Sequence, residues 1–156
     1  MAVRAPMQWT SSEGGGFSSA PMTEYVRPIL AEGPYGYEET NVASQRGNPE
    51  SLLNWIASLV RTRKESSEIG YGAWSVMDTG NDAVFAIRYD DHESAIIVLN
   101  NLSGQRQNVS LDLEPQELER TTDLLGDNIN EPVIDASAKM RLNGYGCRWL
   151  RVGGAY

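Results

Sequence analysis

The hydrophobic positions of this chain of 156 residues follow three regimes in turn. From Met1 to Gly47, glycine, proline, serine and aromatic residues crowd together, and the apolar positions recur with neither helical nor strand spacing, so irregular chain is expected. So long a loop is uncommon in an independent domain and points to a surface for it to lie against. Its apolar groups, Met7, Trp9, Phe17, Tyr25, Ile29, Leu30, Tyr35 and Tyr37, are too many for a solvated linker and are expected to bury against a partner. The competing arrangement is an extension that packs on itself and clasps the rest of the chain.

The second regime is helical. Asn48 can cap exposed backbone donors, Pro49 suits a first helical position and Glu50 suits the positive end of the dipole, so a helix is expected from Asn48 to about Lys64. Leu52, Leu53, Ile56, Leu59 and Val60 recur at three- and four-residue spacing and give it one apolar face, with Arg63 at the basic exit. Trp55 lies off the densest part of that face; it either contacts a second surface or, the commoner case for one Trp, stays half exposed.

After Gly70 the period shortens to that of strands. Ala73 to Asp78, Ala83 to Tyr89 and Ser94 to Asn100 are β-rich runs separated by Gly80-Asn81-Asp82 and by Asp90-Asp91-His92-Glu93, the pattern of an antiparallel meander. The second and third runs are almost continuously apolar, which predicts central strands covered on both faces. Further strands are expected at Gln107 to Leu113, Arg120 to Leu125, Lys139 to Leu142 and Cys147 to Val152. The fold class that follows is mainly β: an antiparallel β-sandwich preceded by one long α-helix and an irregular N-terminal segment. In residue terms the divisions are 1–47, 48–65 and 70–153.

Composition narrows the partners. Thirteen Lys and Arg against twenty-one Asp and Glu leave a net charge of −8, which excludes nucleic acid and an anionic membrane surface as natural partners. No apolar run approaches the roughly 20 residues of a spanning helix, the N-terminus lacks the order of a secretory signal, and the single Cys147 forms no internal disulfide, so the cytoplasm is the expected location. The triplets Asn101-Leu-Ser103 and Asn108-Val-Ser110 fit the glycosylation pattern but carry no weight without secretion.

Candidate chemistry is sparse. His92, the only histidine, sits among Asp90, Asp91 and Glu93, but contiguous residues on a tight turn diverge, so a charged turn is expected rather than a metal site. Cys147 is expected to be a small core-facing residue and Gly14-Gly15-Gly16 a flexible turn. The acids, Glu38, Glu39, Asp90, Asp91, Asp112, Glu114, Glu117, Glu119 and Glu131 among them, are expected on turns and polar faces. Of the four tryptophans, Trp74 and Trp149 fall in predicted strands and are expected to fill the sandwich. Trp9 lies in a loop that could stack on a sugar.

Arg4-Ala5-Pro6-Met7-Gln8-Trp9, followed by the Gly-rich turn and Phe17, resembles the loop after the eighth barrel strand in family 13 glycoside hydrolases of the oligo-1,6-glucosidase and trehalose synthase type. Ala5 replaces a threonine usual in that family, and Gly15 stands where an asparagine is typical. Tyr35-Gly36-Tyr37, Asn41-Val42, Gln45 and Ser51-Leu52-Leu53-Asn54-Trp55 look like the trehalose synthase branch. Asn100-Asn101-Leu102-Ser103 and Tyr145-Gly146-Cys147-Arg148-Trp149-Leu150 resemble strands of the C-terminal β-domain.

The resemblance implies that residues 48–65 correspond to the last barrel helix, and that Arg4, Gln8 and Trp9 line or support the substrate pocket of a complete enzyme. The motifs that hold the family's catalytic carboxylates have no counterpart here, and 156 residues are too few for a complete barrel of roughly 200 or more. The expectation is a non-catalytic C-terminal part of a maltose–trehalose interconverting enzyme, needing no cofactor or metal and stabilising or completing a barrel. Its expected partners are a catalytic barrel polypeptide or a second copy, with an α-glucan or disaccharide as ligand. The alternative is a free-standing carbohydrate-binding or interaction module that uses the aromatics of residues 1–47.

Overall fold

The computed structural model describes residues 4–92, 94–126 and 137–153. The chain divides into two units, Met1–Ser58 and Leu59–Tyr156, which are taken separately.

In the second unit the β-rich runs become β1 (Ala73–Met77), β2 (Val84–Asp91), β3 (Ser94–Asn101), β4 (Gln107–Ser110), β5 (Thr122–Gly126), β6 (Lys139–Leu142) and β7 (Cys147–Gly153). Five form an antiparallel sheet in the order β1-β2-β3-β7-β5, and β4 pairs with β6 in a second sheet. Side chains alternate across a strand, so each register fixes two faces. Val84 and Ala86 of β2, Ala95, Ile97 and Leu99 of β3, and Leu150 and Val152 of β7 turn inward, where they meet Val109, Met140 and Leu142 of the small sheet and Leu111. This is the expected sandwich.

Both-face burial holds for β3 alone. Neighbouring Ile96 and Ile97 are both fully buried, whereas on β2 Phe85 is 41% exposed. Three further expectations are corrected by the same alternation. Because Leu150 and Val152 take the inner face of β7, Cys147 and Trp149 face outward, opposite Asn100 and Val98 of β3. Cys147 is therefore not core-facing. Trp74 pairs with outward Tyr89 and stays 69% exposed, so neither tryptophan fills the sandwich. The expected strand to Leu113 stops at Ser110, and a short helix, α4 (Pro115–Glu119), follows. Its start is marked by Pro115 at the first turn and a reciprocal cap between Glu114 and Glu117.

Ion pairs fasten the short helices to the sheet. A single turn, α3 (Glu68–Tyr71), places Glu68, 3% exposed, against the outer face. Its carboxylate accepts from Arg151 Nε at 2.7 Å, Arg151 Nη2 at 3.2 Å and Ser94 Oγ at 3.1 Å. On the inner face Arg88 bridges Asp90 of its own strand and Glu117 of α4. Glu117 and Asp90 were expected as solvated charge and serve instead as anchors. Burial pushes the Glu68 carboxyl up, but the hydrogen bonds and charge of Arg151, with Ser94, outweigh it and hold the group below its ordinary value of 4.5. Glu117 is lowered in the same way by Arg88 against its own burial.

In the first unit, part of the stretch expected to be irregular is helical. Helix α1 (Val42–Gly47) is capped by Asn41, whose Oδ1 accepts from Ser44 N–H at 2.9 Å. Asn48 consequently ends α1, and the next helix, α2 (Leu52–Lys64), begins later than Asn48. Ser51 Oγ accepts from Asn54 N–H and Gln45 Oε1 from Leu53 N–H, so these side chains satisfy the first-turn donors in place of Asn48. Asn48 Oδ1 accepts from Glu50 N–H in the turn before. The apolar face of α2 is uncovered, with Leu52 69%, Ile56 42% and Val60 48% exposed. Trp55, 42% exposed, is as half open as expected.

Removing Arg151 leaves the buried Glu68 carboxylate with Ser94 and a backbone donor but no counter-charge, so Arg151→Met is expected to destabilise the second unit by about 3 kcal/mol. The pH dependence carries the sign. In the native chain the Glu68 contribution is present above the ordinary value of 4.5 and is lost as pH falls through the lowered native value. In Arg151→Met the burial is opposed only by Ser94 and the backbone hydrogen bond, with no counter-charge, so acid neutralises a penalised charge. The gap between the two proteins in urea melts should therefore narrow between neutral pH and about pH 4.

Candidate functional site

The loop that carries Arg4, Gln8 and Trp9 is held by main-chain bonds. Val42 and Ala43, at the start of α1, donate to the carbonyls of Gln8 and Trp9 at 2.9 and 3.0 Å, so the helix start spends its unpaired donors on this segment. From the other side the carbonyl of Gly15 accepts from Trp9 and Thr10 N–H at 2.7 and 3.0 Å.

Gly14, Gly15 and Gly16 all have φ between 64° and 66°, the left-handed region, and Gly14 and Gly15 are buried. A Cβ on Gly15 would lie 2.6 Å from Ile29 Cδ1. The expected flexible spacer is thus a tightly packed turn. That conformation suits glycine, which has no Cβ to strain it.

Gln8 spends its amide on the loop itself. Nε2 donates to the carbonyls of Leu30 and Tyr35, each at 3.0 Å, and Tyr37 N–H donates to the same Leu30 carbonyl. Asn41 Nδ2 donates to the carbonyl of Tyr37 at 2.9 Å, so the 30–37 segment is tied at both ends. Trp9 is 46% exposed and Tyr35 70%. Arg4 is exposed, and among the described residues no hydrogen bond or ion pair joins it to Gln8 or Trp9. The structure brings Gln8 and Trp9 onto one strapped segment and leaves Arg4 outside the network. Of the apolar groups in this unit, Tyr37 is buried, whereas Met7, Phe17 and Leu30 remain nearly half exposed.

Elsewhere the candidate chemistry separates. Asp90 turns to Arg88, and Asp91 faces exposed His92 at 3.5 Å, so the acids of that turn point apart; Glu93 lies outside the described residues, as does Glu131. Asn101 of the first glycosylation triplet is 3% exposed. Its amide donates to the carbonyls of Gln105 and Asn143, and its Oδ1 accepts from Ser103 N–H, so it is an internal strut. The contact that sequence reasoning missed is Glu68 with Arg151, 83 positions apart, for which no local pattern exists. The α4 start was missed as well, although Glu114-Pro115-Gln116-Glu117 carries its signal.

An inward core shared by a five-stranded and a two-stranded sheet defines a class. Within the chain, residues 75–149 match the maltogenic amylase C-terminal domain. More particularly, it is a C-terminal portion of the trehalose synthase type within the family 13 glycoside hydrolases, and the catalytic barrel is not among its described residues. It is 32% identical over 154 residues to the trehalose synthase of Pimelobacter sp., covering 96% of this chain and 27% of that protein. The trehalose synthase of Thermus thermophilus is 35% identical over 113 residues, 72% of this chain and 12% of that one. Among solved structures, the trehalose-6-phosphate hydrolase of Bacillus licheniformis matches 96% of the chain and 25% of its own, with TM-score 0.72 and 18% identity. The isomaltulose synthase of Erwinia rhapontici gives 0.71 and 22% over the same shares. The chain thus spans between 12% and 27% of the length of these relatives.

Two substitutions probe the strapped loop. Gly15→Ala adds a Cβ in both a left-handed conformation and a filled space and is expected to cost about 2 kcal/mol. Gln8→Glu puts acceptors against two carbonyls, so it should destabilise more than Gln8→Met, which only deletes the bonds, by about 1 kcal/mol. Trp9 fluorescence in a denaturant series, and amide exchange at residues 30–37, would check both.

Proposed function

We propose that this chain is the non-catalytic C-terminal portion of a trehalose-synthase-like enzyme, acting to stabilise or complete a catalytic barrel. The parent activity in this reading is the interconversion of maltose and trehalose by α-glucosyl transfer. The observation that carries it is the bare stripe of α2: Leu52, Leu53, Ile56 and Val60 share a face as a core helix would, yet all are exposed. A helix patterned for burial and left uncovered supports the view that its partner surface is a barrel contributed elsewhere.

Within a complete enzyme, Trp9 would offer its half-open ring to a sugar, with Arg4 beside the pocket and Gln8 bracing the loop from behind. The cytoplasm is the setting this reading assumes, in keeping with the single Cys147. Without a barrel, the stripe should drive self-association.

Incubated with maltose, the purified chain is expected to release neither trehalose nor glucose; turnover abolished by one carboxylate substitution would defeat the proposal. Sedimentation should show association that grows with concentration. Titration of tryptophan fluorescence with maltose, trehalose and soluble starch should show no saturable change, and saturation would favour the binding-module reading.

A further inference from the structure

Trp9 combines an open ring with a fully committed backbone. Its N–H donates to the carbonyl of Gly15 at 2.7 Å, its own carbonyl accepts from Ala43 N–H at 3.0 Å, and the residue stays 46% exposed. The part of this clasp that lies on α1 depends on one side chain. Asn41, 4% exposed, sits in extended backbone just before the helix and divides its amide between two tasks. Oδ1 accepts from Ser44 N–H at 2.9 Å, so the cap takes the third donor of the first turn and leaves the first two, on Val42 and Ala43, for the carbonyls of Gln8 and Trp9. Nδ2 donates to the carbonyl of Tyr37 at 2.9 Å, which anchors the far end of the segment whose Leu30 and Tyr35 carbonyls accept from the Gln8 amide.

We infer that Asn41 is a positioning residue for sugar binding, acting through Trp9 by fixing the backbone that carries its ring. That role rests on the functional reading above and adds to it the residue that holds Trp9 ready. A helix of six residues is not stable alone, so its cap decides where α1 aims its first donors. The two tasks need an acceptor and a donor on one planar group, which an amide supplies and a carboxylate does not. Aspartate at this position would keep the cap and suit the positive end of the helix, yet it would set an oxygen against the Tyr37 carbonyl. An exposed aromatic ring on backbone bound at both ends is a prearranged contact, and a ligand that stacks on it has little ordering left to impose.

The test places the full chain in the Pimelobacter sp. trehalose synthase in exchange for that protein's matching segment and follows maltose conversion. Asn41→Asp should raise KM for maltose about tenfold and leave kcat within about twofold, because a contact made equally to substrate and transition state is read in KM alone. Ser51→Ala, which removes an acceptor at the start of α2 and leaves the Asn41 bonds in place, should lower the melting temperature without moving KM. In a Trp9→Ala background Asn41→Asp should add nothing, since the ring it places is gone. In the full chain alone, amide exchange at Ala43 should speed about tenfold in Asn41→Asp and change little in Ser51→Ala. If that exchange is unmoved, if KM is unmoved or rises as far in Ser51→Ala, or if the effects at 41 and 9 multiply, the positioning role is overturned and the functional reading stands. If the hybrid with the unsubstituted chain converts no maltose, the functional reading fails and takes the inference with it.

Discussion

Strand β3 meets protein on both sides, and most of the second unit follows from that constraint. It pairs with β2 along one edge and with β7 along the other, so its register sets which residues of both neighbours turn in. With Ile97 and Leu99 inward, Ala86, Leu150 and Val152 must be inward too, and the small sheet supplies Val109, Met140 and Leu142 to close the core. A slip of one residue would exchange every inward side chain for an outward one, bringing Arg151 toward the hydrocarbon and Leu150 toward the Glu68 carboxylate.

The outer side of the same strand explains the polar anchors. Burying Ile96 needs a cover, and one helical turn is too small to provide it by apolar area alone. Glu68 holds that cover in place through a charge-assisted, two-point contact with Arg151, and Ser94 takes part of the remaining acceptor capacity. Arg88 does comparable work on the inner face, tying α4 to β2. In both cases a helix too short to be stable alone is held by a guanidinium reaching from the sheet.

The first unit is organised differently. Its main-chain groups are satisfied locally, by the start of α1, by the left-handed glycine turn and by the Gln8 amide, while much of its apolar surface stays open. Such a segment keeps its shape through hydrogen bonds more than through apolar burial. That division of labour is in keeping with the proposal that this loop borders a site completed by a barrel.

The sequence by itself determined where the strands lie, the end of β4 apart, because short β-rich runs bounded by turn residues report a local backbone geometry that tertiary packing did not override. It also carried the family, through motifs spread from Arg4 to Leu150. It misplaced the start of α2, since Asn48 suits the end of one helix and the start of another, and only the path of α1 decides between them. Which side of each strand would be buried was decided by the tertiary structure alone: Trp74, Cys147 and Trp149 carry the composition of a core, but the face that closed was the one holding Leu150 and Val152. The same holds for Glu68 and Arg151, and for Gln8 with the carbonyls of Leu30 and Tyr35. Contacts between residues far apart in sequence leave no periodic trace, because their partner is defined by the fold and not by the neighbouring chain.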